Sequence, residues 1–222
     1  MTLAEALDAF GLGRISGRPV RIAVIDSGVY AGHPHVQGVD GGVSLVPGTP
    51  PDVFIDRNGH GTAVAAAIRE KAPAAVLVAV KIFDRQLAAT ATELATGIEW
   101  AASNRADLIN LSLGTTNPAH ADRLQAVVLA ARRAGAVVVS ASDQGALPSL
   151  PGSLSGVVSV AVDWEVDRHV ALVEGASADA IRLRASGYPR PIPGVPPSRN
   201  LKGVSFAVAN ATGLIARELC PA

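Results

Sequence analysis

The sequence predicts an α/β fold, a three-layer sandwich with a mainly parallel central sheet, and three observations carry that expectation. Five short apolar runs rich in Val and Ile, bounded by Gly, Pro or Asp, have the length and composition of buried strands. Between them lie Ala-rich or amphipathic segments of helix length. Hydrophobic residues make up 49% of the chain but aromatics only 4%, so the core must be filled by Ala, Val, Leu and Ile, which suits helices packed closely on a Val-rich sheet. With 222 residues and no repeat or low-complexity linker, the chain reads as one domain over residues 1–222.

Each element follows in order. Residues 3–10 have the spacing of a short amphipathic helix, and the Gly-rich segment 11–19 delivers the chain to Val20–Asp26, a buried parallel strand. This strand opens at its carboxyl end into Asp26-Ser27-Gly28, where open α/β sheets place their sites. Residues 29–57 are rich in Gly and Pro and read as loops with one short strand near Val43–Leu45. A helix over Gly61–Lys71 precedes a second strand, Ala75–Ile82. A helix over Thr92–Asn104, with Leu94, Ile98 and Ala101 on one face, leads to a third strand, Asp107–Gly114. The helix Ala119–Ala134 stops at Gly135, and Ala136–Ala141 and Gly156–Val162 are the fourth and fifth strands. A Pro-rich loop, Tyr188–Pro197, precedes the last helix, Val204–Leu219. Alternating strand and helix imply right-handed crossovers covering both faces of the sheet.

Lys plus Arg and Asp plus Glu both number 19 and are scattered, so neither a nucleic-acid nor an acidic-membrane partner is expected. A single cysteine, Cys220, excludes an internal disulfide and cysteine-based zinc sites. No apolar run approaches the roughly 18 residues of a membrane span, and Met1–Phe10 lacks a basic-then-apolar signal pattern. The expectation is a soluble cytoplasmic protein without cofactor.

Three segments carry chemistry-bearing residues flanked by glycine or small residues: Asp26-Ser27-Gly28, Asn58-Gly59-His60-Gly61-Thr62, and Gly203-Val204-Ser205-Phe206-Ala207. An acid after a strand, a histidine opening one helix and a serine opening another occur in the order Asp, His, Ser, one of the orders in which the hydrolytic triad recurs. On these motifs the sequence resembles the subtilisin-like serine peptidases, the subtilase family. The likeness extends over roughly residues 15–219, through Val80-Lys81-Ile82, Gly97-Ile98-Glu99-Trp100 and Ala106–Gly114.

The resemblance implies a serine endopeptidase with Ser205 as nucleophile, His60 as proton carrier and Asp26 as its orienting acid. It implies that substrate lies as an extended strand on Ser112-Leu113-Gly114, with Ser140, Ala141 and Ser142 as pocket walls. A second rail would be Leu87-Ala88-Ala89, whose side chains narrow a groove that is Gly-rich in relatives.

Several positions depart from the family pattern. In Ser140-Ala141-Ser142-Asp143-Gln144-Gly145 an aspartate, Asp143, occupies the place of the oxyanion asparagine. An ionised carboxylate only accepts hydrogen bonds, and losing this donor costs about 10²–10³ in turnover. Two accounts follow: a protonated Asp143 donates, or hydrolysis is reduced or lost. The long loop that binds calcium in relatives is missing, since Glu70-Lys71-Ala72-Pro73 runs straight into the next strand, and His33-Pro34 is followed by His35 rather than Asp. No metal site is therefore expected, and His33 and His35 read as loop residues. Ala209 and Val204 replace the family's Pro and Thr in the serine segment without disturbing a helix. No propeptide precedes the domain in this reading. The expectation is a narrow-specificity peptidase that processes precursors or leaders, restrained by weak activity or by a regulatory or assembly partner; the alternative is an inactive module that binds an extended peptide or a partner protein.

Overall fold

A computed structural model describes residues 1–86, 88–144 and 147–220, apart from the side chains of Gln144 and Ser198. Its main sheet joins eight strands in the order β2-β3-β1-β4-β5-β8-β10-β9, where β1 is Arg21–Asp26, β2 Gly42–Ser44, β3 Val76–Lys81, β4 Leu108–Leu111, β5 Val137–Ala141, β8 Val157–Val162, β9 Ala171–Ala176 and β10 Ala180–Ala185. All neighbours pair in parallel except β9, which runs antiparallel along the edge of β10. A small antiparallel hairpin, β6 (Asp143–Gln144) and β7 (Leu147–Pro148), stands apart from the sheet.

Successive residues of β1 point to opposite faces, and the core divides accordingly. Ile22 and Val24 pack with α1 (Leu3–Ala9), α2 (His60–Lys71) and α5 (Val204–Leu219). Ala23 and Ile25 face α3 (Ala91–Ser103) and α4 (Ala121–Arg133). The small side chains demanded by the composition are used at the helix contacts. A Cβ on Gly213 of α5 would stand 3.0 Å from the Ile68 carbonyl and 2.8 Å from Lys71 Cβ of α2, so the two helices touch backbone to backbone there. Gly213 lies eight residues after Ser205 and Ile68 eight after His60, and this contact fixes the relation between the two helices that open at the predicted serine and histidine.

The five sequence-predicted strands and all five helices are present, with ends shifted by a few residues. The segment after the fifth strand holds two elements to which the sequence pattern assigns nothing: residues 171–185 form β9 and β10. Alternation in β10, with Ile181, Leu183 and Ala185 buried and Arg182 and Arg184 exposed, is the period-two signal of a half-buried strand. Among the described residues the link from β5 to β8 carries the β6–β7 hairpin and turns and no helix.

Candidate active site

Asp26 ends β1 fully buried. Its register partner on β3 is Lys81, whose buried ammonium donates to the Ile55 carbonyl at 2.8 Å and to Asp84 at 2.5 Å. Lys81 thereby holds the 52–58 loop against the sheet edge. That loop supplies Asp56, which organises the start of α2. Asp56 Oδ1 accepts from the Ser27 hydroxyl (2.9 Å) and from the Asn58 and Gly59 amides (both 2.8 Å). Its Oδ2 accepts from the Thr62 amide (2.9 Å) and hydroxyl (2.6 Å). A carboxylate here satisfies helix N–H groups that have no intrahelical partner and complements the positive end of the helix dipole. Burial acts to raise the Asp56 pKa, but these hydrogen bonds outweigh it and hold the carboxyl below its ordinary value.

Two glycines permit the approach of α2 to Asp26. A Cβ on Gly61 would lie 2.2 Å from the Gly28 carbonyl and 3.1 Å from Asp26 Oδ1, and one on Gly28, whose φ is +96°, would lie 2.2 Å from the Phe54 carbonyl. With both side chains absent, His60 Nδ1 reaches Asp26 Oδ1 at 2.8 Å and Oδ2 at 3.0 Å. Desolvation pulls the His60 pKa down; the hydrogen bond and charge of Asp26, with a contribution from the charge of Asp56, overcome it and leave the pKa raised. A histidine bonded through Nδ1 to a carboxylate has Nε2 free to exchange a proton.

Ser205 opens α5, half-buried, and the neighbouring Phe206 ring lies 5.8 Å from the His60 ring. Its hydroxyl donates to the Ser112 carbonyl at 3.4 Å. Among the described residues no hydrogen bond joins Ser205 to His60. Asp26 and His60 are thus coupled directly, whereas Ser205, the chain neighbour of the Phe206 ring that lies near His60, has its hydroxyl turned toward the residue predicted as the substrate rail.

The other predicted positions distribute as follows. Ser112, Leu113 and Gly114 continue the line of β4 beyond its last paired residue, and the Asn110 amide donates to the Ser112 hydroxyl at 3.1 Å. Ser140 and Ala141 end β5 fully buried, and among the described residues the Ser140 hydroxyl has no hydrogen-bond partner. The Gly152 segment lies directly on them, since a Cβ there would fall 1.7 Å from the Ala141 carbonyl. The Ser142 hydroxyl donates to Asp143 Oδ2 at 2.6 Å. Asp143 lines a cavity of about 380 Å³ together with Gly152, Leu154, Ser159 and Arg182, into which neither His60 nor Ser205 projects. Leu87 lies outside the described residues; Ala88 and Ala89 lie just beyond Arg85, whose carbonyl accepts from the Asn58 side-chain amide at 2.9 Å, tying that segment to the turn before His60. Among the described residues no group of three or more His, Cys, Asp and Glu is placed to hold a metal, and no helix is long and apolar enough to cross a membrane.

Asp56, Ser27, Thr62 and Lys81 were not singled out as functional from the sequence. An acid four residues before a helix-opening histidine, and a lysine ending an apolar strand, are the signals that could have pointed to two of them. The Ser27–Asp56 and Lys81–Ile55 contacts join segments distant in the chain and are invisible to local pattern.

A sequence model described as the subtilase family matches residues 17–167. The thermostable alkaline protease of Halalkalibacterium halodurans is 37% identical over 158 residues, 66% of this chain and 42% of that protein. Subtilisin Savinase of Lederbergia lenta is 32% identical over 212 residues, 90% of this chain and 73% of the relative. An alkaline protease of Shouchella clausii is 32% identical over the same length, of which the chain spans about half, 52%. Of solved structures, sphericase has a TM-score of 0.68 at 22% identity, covering 95% of this chain and 81% of its own. A mutant of the protease domain of PatA has a TM-score of 0.64 at 24% identity, covering 90% and 80%. At those identities the two structures speak for the fold. The family match over most of the chain and the near-full alignment with Savinase settle the relationship: this chain belongs to the subtilase family, as a subtilisin-like serine peptidase domain.

Proposed function

We propose that the chain is a serine endopeptidase in which Ser205 attacks the peptide carbonyl, His60 accepts the serine proton at Nε2 and returns it to the leaving amine, and Asp26 orients and stabilises the imidazolium. The observation that carries this reading is the pair of Asp26–His60 contacts at 2.8 and 3.0 Å beside a serine at a helix N-terminus. Attack requires the Ser205 hydroxyl to leave the Ser112 carbonyl and turn to His60, a change between staggered side-chain positions. Substrate paired with Ser112-Leu113-Gly114 would itself compete for that carbonyl. Developing negative charge meets the first amides of α5.

Narrow specificity is part of the proposal: the rail at Ala88 and Ala89, and an aspartate, Asp143, where the family resemblance implies the oxyanion asparagine, both argue against broad digestion. Precursor or leader processing in the cytoplasm, under a regulatory or assembly partner, fits such an enzyme, although one relative is a minor extracellular protease of Bacillus subtilis. A second reading, an inactive module holding an extended peptide, is favoured by two observations: Ser205 is not bonded to His60, and Asp143 accepts from Ser142.

Digestion of a proteome-derived peptide mixture separates them. The proposed enzyme yields new termini sharing residues around the cut, absent with Ser205→Ala; an unchanged mixture from the wild-type chain supports the binding module.

A further inference from the structure

A cavity of about 490 Å³ opens between α2, the segment after β1 and the segment that leads into Ser205. Gly59 and Thr62, on either side of His60, form one wall; Tyr30, His33 and His35 form a second; Arg190, Arg199 and Asn200 form a third. None of its walls comes from the segments after β4 or β5, which carry the proposed substrate rail and pocket walls. The cavity therefore flanks the start of α2, which carries His60, on residues other than those of the proposed rail and pocket walls.

Its charge is one-sided. Arg190 donates to the His35 carbonyl at 3.1 Å, and among the described residues neither Arg190 nor Arg199 has a carboxylate partner. Asp56 is the acidic group on the wall, and both its oxygens are taken by Ser27, Asn58, Gly59 and Thr62. Glu70, nearby on α2, is paired with Lys71 and Arg168. His33 accepts from the His35 amide at Nδ1 (3.2 Å), which places its hydrogen on Nε2 and makes it a donor. The field is felt locally: burial first, then the charge of Arg190, holds His35 below its ordinary pKa against an opposing pull from Glu70. Ile192, Val195 and Leu201 add apolar surface at the mouth. Bidentate guanidinium donors with no acid of their own, in a cleft beside a peptide-cleaving centre, fit a carboxylate.

Resting on the proposed peptidase function, we infer that this cavity receives the substrate residues C-terminal to the cut bond and selects a carboxylate there, from an Asp or Glu side chain or from a nearby chain end. The leaving half of the substrate is thereby read by charge, while the acyl half is read by the rail at Ser112-Leu113-Gly114. Release of the first product then depends on salt, since an exposed pairing of this kind is screened.

Binding to the full chain carrying Ser205→Ala tests this without requiring turnover. The probes are Ala-Glu-Glu-Ala amide, Ala-Gln-Gln-Ala amide, and tetra-alanine with a free or an amidated C-terminus, followed by amide chemical shifts in low salt. We expect the Glu peptide to bind about five- to tenfold tighter than the Gln peptide, with shifts at Gly59, Thr62 and Asn200. Arg190→Gln with Arg199→Gln should bring that ratio to about one, and Arg199→Gln alone, at an exposed site, should reduce it if the double variant fails to fold. Preference for free over amidated tetra-alanine but not for Glu over Gln assigns the site to a chain end; the converse assigns it to side chains. Equal binding of all four probes, or shifts outside the cavity, overturns the inference. Acid-selective binding by a chain whose Ser205 proves inert would leave the inference standing and remove the peptidase reading.

Discussion

Removing the Asp56 carboxylate is the perturbation that most directly probes how the histidine is held. Asp56→Ala deprives five donors of their acceptor. Asn58 and Gly59 are exposed and can turn to water, and the Ser27 hydroxyl retains Asp26 Oδ1 at 3.3 Å. The amide and hydroxyl of Thr62, which is 7% exposed, have no such recourse. Each buried donor left without a partner costs about 1–3 kcal/mol. Loss of a carboxylate at the helix N-terminus adds about 0.3–1 kcal/mol. The expected destabilisation near neutral pH is about 3 kcal/mol, read by urea denaturation with an unchanged slope. Because folding depresses the Asp56 pKa, this stabilisation is present above the unfolded carboxyl's pKa and disappears as pH falls through the lower folded value. Wild type and variant should therefore converge in acid. A difference below about 1 kcal/mol, or one that does not shrink in acid, would refute the role assigned to this carboxylate.

Two further substitutions probe the same centre. Gly61→Ala sets a methyl 2.2 Å from the Gly28 carbonyl, so α2 must retreat and lengthen the His60–Asp26 bond; a displacement near 1 Å predicts a loss of about 10² in kcat with little change in KM, and unchanged kinetics would show that the close approach is not needed. Asp143→Asn introduces an amide donor in place of a carboxylate that now accepts from Ser142, and should raise kcat toward the roughly 10²–10³ attributed to such a donor; a fall instead would mean that the carboxyl itself donates.

The strands, the helices and the order of the three site segments were legible because each is written in local pattern: Val-Val-Val runs for buried strands, small residues where helices meet, glycines around His60 and Asp26. The β9–β10 pair is harder to read because the Ile-Arg-Leu-Arg alternation of β10 is short and follows a polar turn. Asp56 and Lys81 are hidden for a different reason. Their work is done through contacts with Ser27, Thr62 and Ile55, and no spacing rule reports which loop a buried ammonium will hold. The orientation of Ser205 is likewise a matter of side-chain rotation, on which sequence is silent.

The proposed triad makes Ser205 reactive only when His60 is neutral. Since folding raises the His60 pKa, serine reactivity should increase with pH and reach half its maximum above the ordinary imidazole value of about 6.5. The same shift means that the stability His60 contributes is full below that ordinary value and is lost as pH rises through the folded one. The rate of fluorophosphonate modification, measured from about pH 5 to 9 with the adduct located by mass spectrometry, reads both the reactive residue and its pH dependence. We expect the adduct on Ser205, none with Ser205→Ala, and a midpoint above 6.5 that falls in Asp26→Asn; absence of any adduct on Ser205 across that range would contradict the assignment of this centre as a working serine peptidase.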